Sequence, residues 1–226
     1  MHQIDIAPEL IAQRNQARGG RRSIFGDIVP ERTAQVVIDM QNGFMEPGAP
    51  VEVPFAREIV PHVNAIGEAL RKAGGTNIFV RFSTPVDALE SWSNFYARLP
   101  VEARQAHQAA FAPGAHYWEF WPELDIRDED VIVEKGRFSA FVPGTCDLDE
   151  TLRARGIDTL IVTGTLTNCC CESTARDAMQ RNYKVLFVED ANAARSDADH
   201  NAALANMCAL FADVMPTDEL LSALRG

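Results

Sequence analysis

From Ala34 onward, apolar runs of strand length alternate with stretches whose apolar residues recur at helical spacing. The runs are Ala34–Asp39 (AQVVID), Thr76–Phe82 (TNIFVRF), Asp130–Glu134 (DVIVE), Thr159–Thr163 (TLIVT), Lys184–Glu189 (KVLFVE) and Ala212–Met215 (ADVM). Helical stretches fall near 55–73, 147–155, 170–182, 198–210 and 217–225. Such alternation is the signature of parallel βαβ units. The third and fourth runs are continuously apolar, as expected when helices cover both sheet faces. The pattern predicts an α/β fold with three layers, α/β/α, around a mostly parallel six-stranded sheet. No repeat or low-complexity segment interrupts it, so residues 33–226 read as a single domain.

Two stretches break the rhythm. Residues 1–32 are polar and broken by Gly19-Gly20-Arg21-Arg22, and they read as an N-terminal arm. Its Ile4, Ile6, Leu10 and Ile11 need an apolar surface, either the body or a neighbouring subunit. Residues 83–125 form a long connection that holds all three tryptophans of the chain, together with Phe95, Tyr96, Phe111, Tyr117 and Phe120. A connection this long in a compact domain usually has a function.

Bulk properties exclude several partners. The formal net charge of -11 argues against a nucleic-acid backbone, which needs clustered Lys and Arg. No apolar run approaches the ~18–20 residues that span a bilayer, and the N-terminus lacks the continuous apolar core of a secretory signal. The five cysteines are an odd set with three adjacent, Cys169, Cys170 and Cys171, which suits a reducing compartment. The expectation is a cytoplasmic protein with a small-molecule partner.

Ligands of open parallel sheets bind beyond the carboxyl ends of the strands. Three residues with chemistry fall there: Asp39 closes the first strand, Lys135 follows the third, and Cys170 opens the helix after the fourth. A helix start lowers a thiol pKa and offers N–H groups to an oxyanion. The alternative for Cys170 is a small core residue. Asp39 is either a general base or a cap for the following turn, and Lys135 is either a site charge or a solvated loop charge. A metal held by the triplet is a poor fit, because consecutive helical residues point ~100° apart. Gln41, Phe44, Phe138 and Phe141 flank these motifs, and Trp92, Asn94, Phe95 and Tyr96 lie in the aromatic connection. Each is a candidate for substrate contact or for ordinary packing. Arg81 and Arg137 are candidate carboxylate clamps, His200 an N-terminal helix residue, and His62 and His107 surface positions.

The segments VVIDMQNGF, KGRFSAF and TGTLTNCCCESTARDA resemble the three signature segments of isochorismatase-like cysteine hydrolases. That family includes nicotinamidase, N-carbamoylsarcosine amidohydrolase and ureidoacrylate amidohydrolase. The resemblance runs from about Ala34 to the C-terminus and implies the isochorismatase-like hydrolase fold. It implies a triad of Asp39, Lys135 and Cys170, an oxyanion hole made by the N–H groups of Leu166 and Cys170, and a cis peptide at Thr165–Leu166. The implied reaction cleaves an amide or ureido C–N bond through a thioester, releasing ammonia or an amine, with no cofactor.

Two departures narrow the choice. True isochorismatases resemble this fold but lack the cysteine, so its presence favours acyl chemistry. Nicotinamidases carry an Asp-x-His…His metal site after the second strand, where this chain reads FVRFSTPVDA, so no catalytic metal is expected. The aromatic connection and ESTARDAM look nearest to the ureidoacrylate branch. The rivals are a cofactor-free hydrolase of an ether or ester on the same scaffold, and a catalytically dead binding protein. A nucleotide-binding module is disfavoured, since no Gly-x-Gly-x-x-Gly follows the first strand. Members of this family are commonly dimers or tetramers. With the apolar arm residues, this predicts a homo-oligomer, a tetramer before a dimer.

Overall fold

The computed structural model describes residues 1–225. Six strands, β1 (Thr33–Ile38), β2 (Thr76–Phe82), β3 (Val131–Lys135), β4 (Thr159–Thr165), β5 (Lys184–Ala193) and β6 (Asp213–Met215), form one sheet. Their order is β3-β2-β1-β4-β5-β6, and every pairing is parallel.

The two-residue strand period sorts the core onto two faces. Val36, Ile38, Val80, Val162 and Phe187 face the helices Leu148–Ala154, Glu172–Gln180 and Asp197–Asn206. Val37, Phe79, Ile161 and Leu186 face the helices Val60–Lys72 and Thr217–Arg225. The result is a three-layer α/β/α sandwich. The sheet is wholly parallel because each strand is followed by a crossover that returns across a face.

One strand outruns its apolar pattern. β5 continues past Glu189 to Ala193, through the polar EDANA. Buried Asn192 holds that extension: its Nδ2 donates to the carbonyls of Val162 at 2.9 Å and Val188 at 2.7 Å.

The arm docks on its own body. Ile4 and Ile6 pack against the first core face, and Pro8–Ala17 forms a polar helix with no buried residue. The Asp5 N–H donates to Asn201 Oδ1 at 2.8 Å, and Asn201 Nδ2 donates to the Gln3 carbonyl at 2.8 Å. Further on, the buried Asp213 of β6 accepts from the Ser23 hydroxyl and the N–H groups of Ile24 and Phe25, at 2.7, 2.7 and 2.8 Å. Arg18 pairs with the same carboxylate at 2.8 Å.

The 83–125 connection carries the helix Val101–Ala110 and several shorter turns. Its tryptophans do structural work. Trp92 stacks on Phe95 at 4.3 Å, Trp118 covers the Arg81 guanidinium at 3.6 Å, and Trp121 joins the second core face.

The strand order reverses direction between β1 and β4, which is where open α/β sheets place their ligand crevice. Ile38 and Gly164 are paired across that junction. Gly164 has φ +118°, and a Cβ there would sit 2.2 Å from the Ile38 carbonyl oxygen. Only glycine lets the two strand ends close up, so Asp39 after β1 and the turn after β4 become neighbours.

Candidate active site

Asp39 leaves β1 with φ 52°, a left-handed conformation rare outside glycine but tolerated by aspartate. Its N–H is held by the Val80 carbonyl at 2.9 Å. Lys135 is the last residue of β3 rather than part of the loop beyond it. Its side chain crosses beneath β2, with Nζ 2.8 Å from Asp39 Oδ2 and 4.9 Å from the centre of the Phe82 ring. Nζ also donates to the Arg137 carbonyl at 3.0 Å. Both members of the pair are fully buried.

Cys170 reaches this pair from the other side of the junction. After β4 the Thr165–Leu166 peptide is cis, and Thr167–Cys171 form a π-helical turn that leads into the helix Glu172–Gln180. The Cys169 and Cys171 N–H groups donate to the Leu166 carbonyl at 3.0 and 3.2 Å. The Cys170 thiol, 4% exposed, lies close enough to Asp39 to bear on its ionisation. Cys171 is sealed in the core, while Cys169 is partly exposed.

Electrostatics place the resting proton on sulfur. Burial pushes the Asp39 carboxyl up from its ordinary value, against the pull of the Lys135 ammonium and of Cys170. Burial opposes charge on Lys135 too, but the Asp39 carboxylate, by its charge and its hydrogen bond, holds the ammonium above the ordinary value. The Cys170 thiol is pushed well up by its hydrogen bond with Cys169 and by burial, with Lys135 pulling the other way. A helix start predicts the opposite direction. The difference is that Cys170 lies inside a π turn, desolvated beside a carboxylate, rather than at an open helix end.

Cys170 opens into a cavity of about 380 Å³. Phe44, Phe95, Phe138 and Leu166 line it, as does Cys170. The other candidates lie elsewhere. Gln41 is a buried clamp whose Nε2 donates to the Phe82 and Trp118 carbonyls, both at 2.9 Å. Trp92 backs Phe95 and Phe138, Asn94 faces solvent, Tyr96 is buried behind the wall, and Phe141 packs in the core beside Tyr183. Arg81 is held between Trp118 and Phe120, and Arg137 donates to the Gly136 and Ser91 carbonyls. A larger open cleft of about 540 Å³, lined by Asp87, Arg137, Cys146 and Asp147, also touches Lys135. The Lys135 side chain is 0% exposed, so that cleft does not reach the ammonium.

The sequence pattern does not single out Val51, Leu99, Asn168, Arg195 and Asp199 as cavity residues, and it places His107 at the surface; all six line it. Arg195 and Asp199 follow β5 closely, so the strand-end rule points to them once β5 is extended to Ala193. His107 shares a helix face with Ala110 and Phe111, a spacing that marks a buried side.

The fold is a three-layer α/β/α domain of the kind that isochorismatase-like hydrolases share. Residues 33–219 match the isochorismatase domain, and the chain belongs to the isochorismatase family. The isochorismatase family protein YwoC of Bacillus subtilis is 34% identical over 197 residues, covering 86% of this chain and 95% of that protein. The ureidoacrylate amidohydrolase RutB of Caulobacter vibrioides is 33% identical over 202 residues, covering 83% and 89%. Among solved structures, a cysteine hydrolase from Pseudomonas syringae pv. phaseolicola superposes with a TM-score of 0.79 at 33% identity, covering 88% of this chain and 95% of that one. Among the described residues, no helix is long and apolar enough to cross a membrane.

Proposed function

We propose that this chain is a cysteine hydrolase that cleaves an amide or ureido C–N bond of a small molecule through a thioester. The observation that carries this reading is the buried Asp39–Lys135 pair, 2.8 Å apart, beside the Cys170 thiol at the wall of one cavity. The amidohydrolase relatives support the choice of bond.

In the proposed cycle, substrate binds with its carbonyl carbon above Cys170. The thiol proton passes to Asp39 as sulfur forms its bond to carbon. The N–H groups of Leu166 and Cys170 receive the oxyanion, and Lys135 keeps the local charge balanced. The C–N bond then breaks, and Asp39 returns the proton to the departing nitrogen. Water attacks the thioester while Asp39 takes its proton, the acid leaves, and sulfur regains the proton. One carboxyl group thus moves a proton twice in each direction per turnover. Its upward-shifted pKa suits that role, because a base is most effective when its pKa approaches the working pH. All five cysteines are free thiols, which agrees with a cytoplasmic setting.

A screen of primary amides and ureido acids for ammonia release tests this reading, with Cys170→Ala as the control. Activity is expected to survive exhaustive chelation and dialysis, because no histidine follows β2 at ligand spacing. Ammonia release that persists in Cys170→Ala, or that returns to a chelated enzyme only with zinc, manganese or iron, would overturn it.

A further inference from the structure

Part of the cavity wall takes no part in the amide chemistry. Phe44, Phe82, Phe95 and Phe138 form an aromatic wall, and His107 sits within it. The ring centres of Phe82 and Phe95 lie 5.8 and 5.5 Å from the imidazole, and that of Phe111 lies 5.3 Å behind it. Burial pushes His107 down to about 4, so the ring is neutral near pH 7.

Its tautomer follows from one neighbour. Tyr96 is 2% exposed and holds its hydroxyl 3.3 Å from His107 Nδ1. Burial pushes the phenol up, so it keeps its proton. That hydroxyl has no other acceptor among the described residues, and its proton therefore lies toward Nδ1. A neutral imidazole that accepts at Nδ1 carries its hydrogen on Nε2. Nε2–H has no protein acceptor among the described residues, which leaves a donor for whatever fills the cavity.

We propose that His107 and the phenylalanine wall form a second binding subsite for a flat, uncharged aryl group of the substrate that bears one hydrogen-bond acceptor. The proposal rests on the amidohydrolase reading for the bond that is cut, but not for what this subsite holds. Flatness follows from the wall, because phenyl rings pack best against another ring, edge to face or offset. Neutrality follows from desolvation, since a charge against four phenylalanines has no partner there. The ionic side chains of the cavity, Arg195 and Asp199, come instead from the segment after β5. Volume agrees: about 380 Å³ falls within the ~300–1,000 Å³ that enclose drug-sized ligands. A short ureido acid carries nothing to fill the aromatic side.

Three amides separate the outcomes: acetamide, 4-ethylphenylacetamide and 4-acetylphenylacetamide, the last two differing in one acceptor oxygen. Binding is measured by calorimetry on Cys170→Ser, and turnover by ammonia release from the wild type. We expect both aryl amides to bind at least tenfold tighter than acetamide, and the acetyl compound about tenfold tighter than the ethyl one. The acetyl-to-ethyl ratio should fall to near one in His107→Phe and survive in part in His107→Gln, which keeps a donor. Thermal melts check that both variants fold, and if His107→Phe does not, the ratio in His107→Gln decides. Equal binding of the three amides, or a ratio untouched by either substitution, overturns the subsite. Ammonia from acetamide alone also overturns it and leaves the amidohydrolase reading intact. The predicted binding ratios with no ammonia from any amide would sink that reading and leave the subsite standing.

Discussion

The Thr167 hydroxyl lies 2.8 Å from His200 Nδ1, and His200 Nε2 lies 3.0 Å from the Glu189 carbonyl. A carbonyl only accepts, so Nε2 carries the hydrogen and Nδ1 accepts from Thr167. Both side chains are fully buried, and the His2 ring stacks on His200 at 4.2 Å. The turn that bears Cys170 is therefore tied at its first residue to the Asp197–Asn206 helix. Thr167→Val keeps the volume but leaves Nδ1 without a donor, a loss of about 1–3 kcal/mol. Urea denaturation measures it, and a variant as stable as the wild type would show that the tie contributes nothing.

The same histidine makes stability fall in acid. Burial pushes His200 down to about 4, and His107 likewise, from an ordinary value of 6.5. Between those values the unfolded chain binds more protons than the folded one, so stability rises with pH. The contribution is complete above about 6.5 and is lost as pH falls toward about 4. The melting temperature should drop across that window in the wild type, and less steeply in His107→Gln. Parallel curves would mean that His107 titrates normally in the fold.

Asp39 and Lys135 give a stability cycle as well as an activity test. Asp39→Asn and Lys135→Met should each lower kcat by ~10² or more. Lys135→Met also strands a buried carboxylate, a cost of roughly 3–5 kcal/mol. The double variant should recover most of that stability and none of the activity. Cys169→Ala should retain far more turnover than Cys170→Ala. A fully active Asp39→Asn would remove the proposed base.

Gly164→Ala should fail to fold or melt far below the wild type, because its Cβ would sit inside contact distance of the Ile38 backbone. Normal circular dichroism and melting would show that the β1–β4 junction has slack.

We also propose a homo-oligomer, with a tetramer favoured. Val86, Val101 and Leu210 are 99, 66 and 66% exposed, and the first two belong to the aromatic connection. Sedimentation of the intact chain should give a multiple of its 24.9 kDa mass. A monomer near that mass would reject the assembly.

The strand pattern carried much of the fold because buried parallel strands must be apolar, and the runs at β1, β2 and β4 are. It stopped short on β5, because the half-buried Glu189 and Asp190 interrupt the run before the buried Ala191 and Ala193, and Asn192 side-chain bonds help to hold that end. Asp39, Lys135 and Cys170 were legible as strand-end residues, since strand ends converge by topology. The cavity wall was less legible. Phe44, Phe95 and Phe138 line it, yet Trp92 and Tyr96 pack behind it and Phe141 lies in the core beside Tyr183. Which face of an aromatic points into space depends on the path of a long connection, and no local period encodes that. His107 was read as a surface position because its helix is polar overall, and only its spacing with Ala110 and Phe111 marks the inward side.

The docking of residues 2–5 also sets a schedule for synthesis. His2 contacts Asp197 and accepts from the Ala194 N–H, partners 195 and 192 positions away. At about 5–20 residues per second, the strap emerges roughly 10–40 seconds before the residues that receive it. Ile4 and Ile6 stay without their site for that interval, and the contact joins residues made nearly two hundred positions apart. A ribosome-stalled series of nascent chains should therefore show His2 and its neighbours open to protease until the Asp197–Asn206 helix has cleared the exit tunnel.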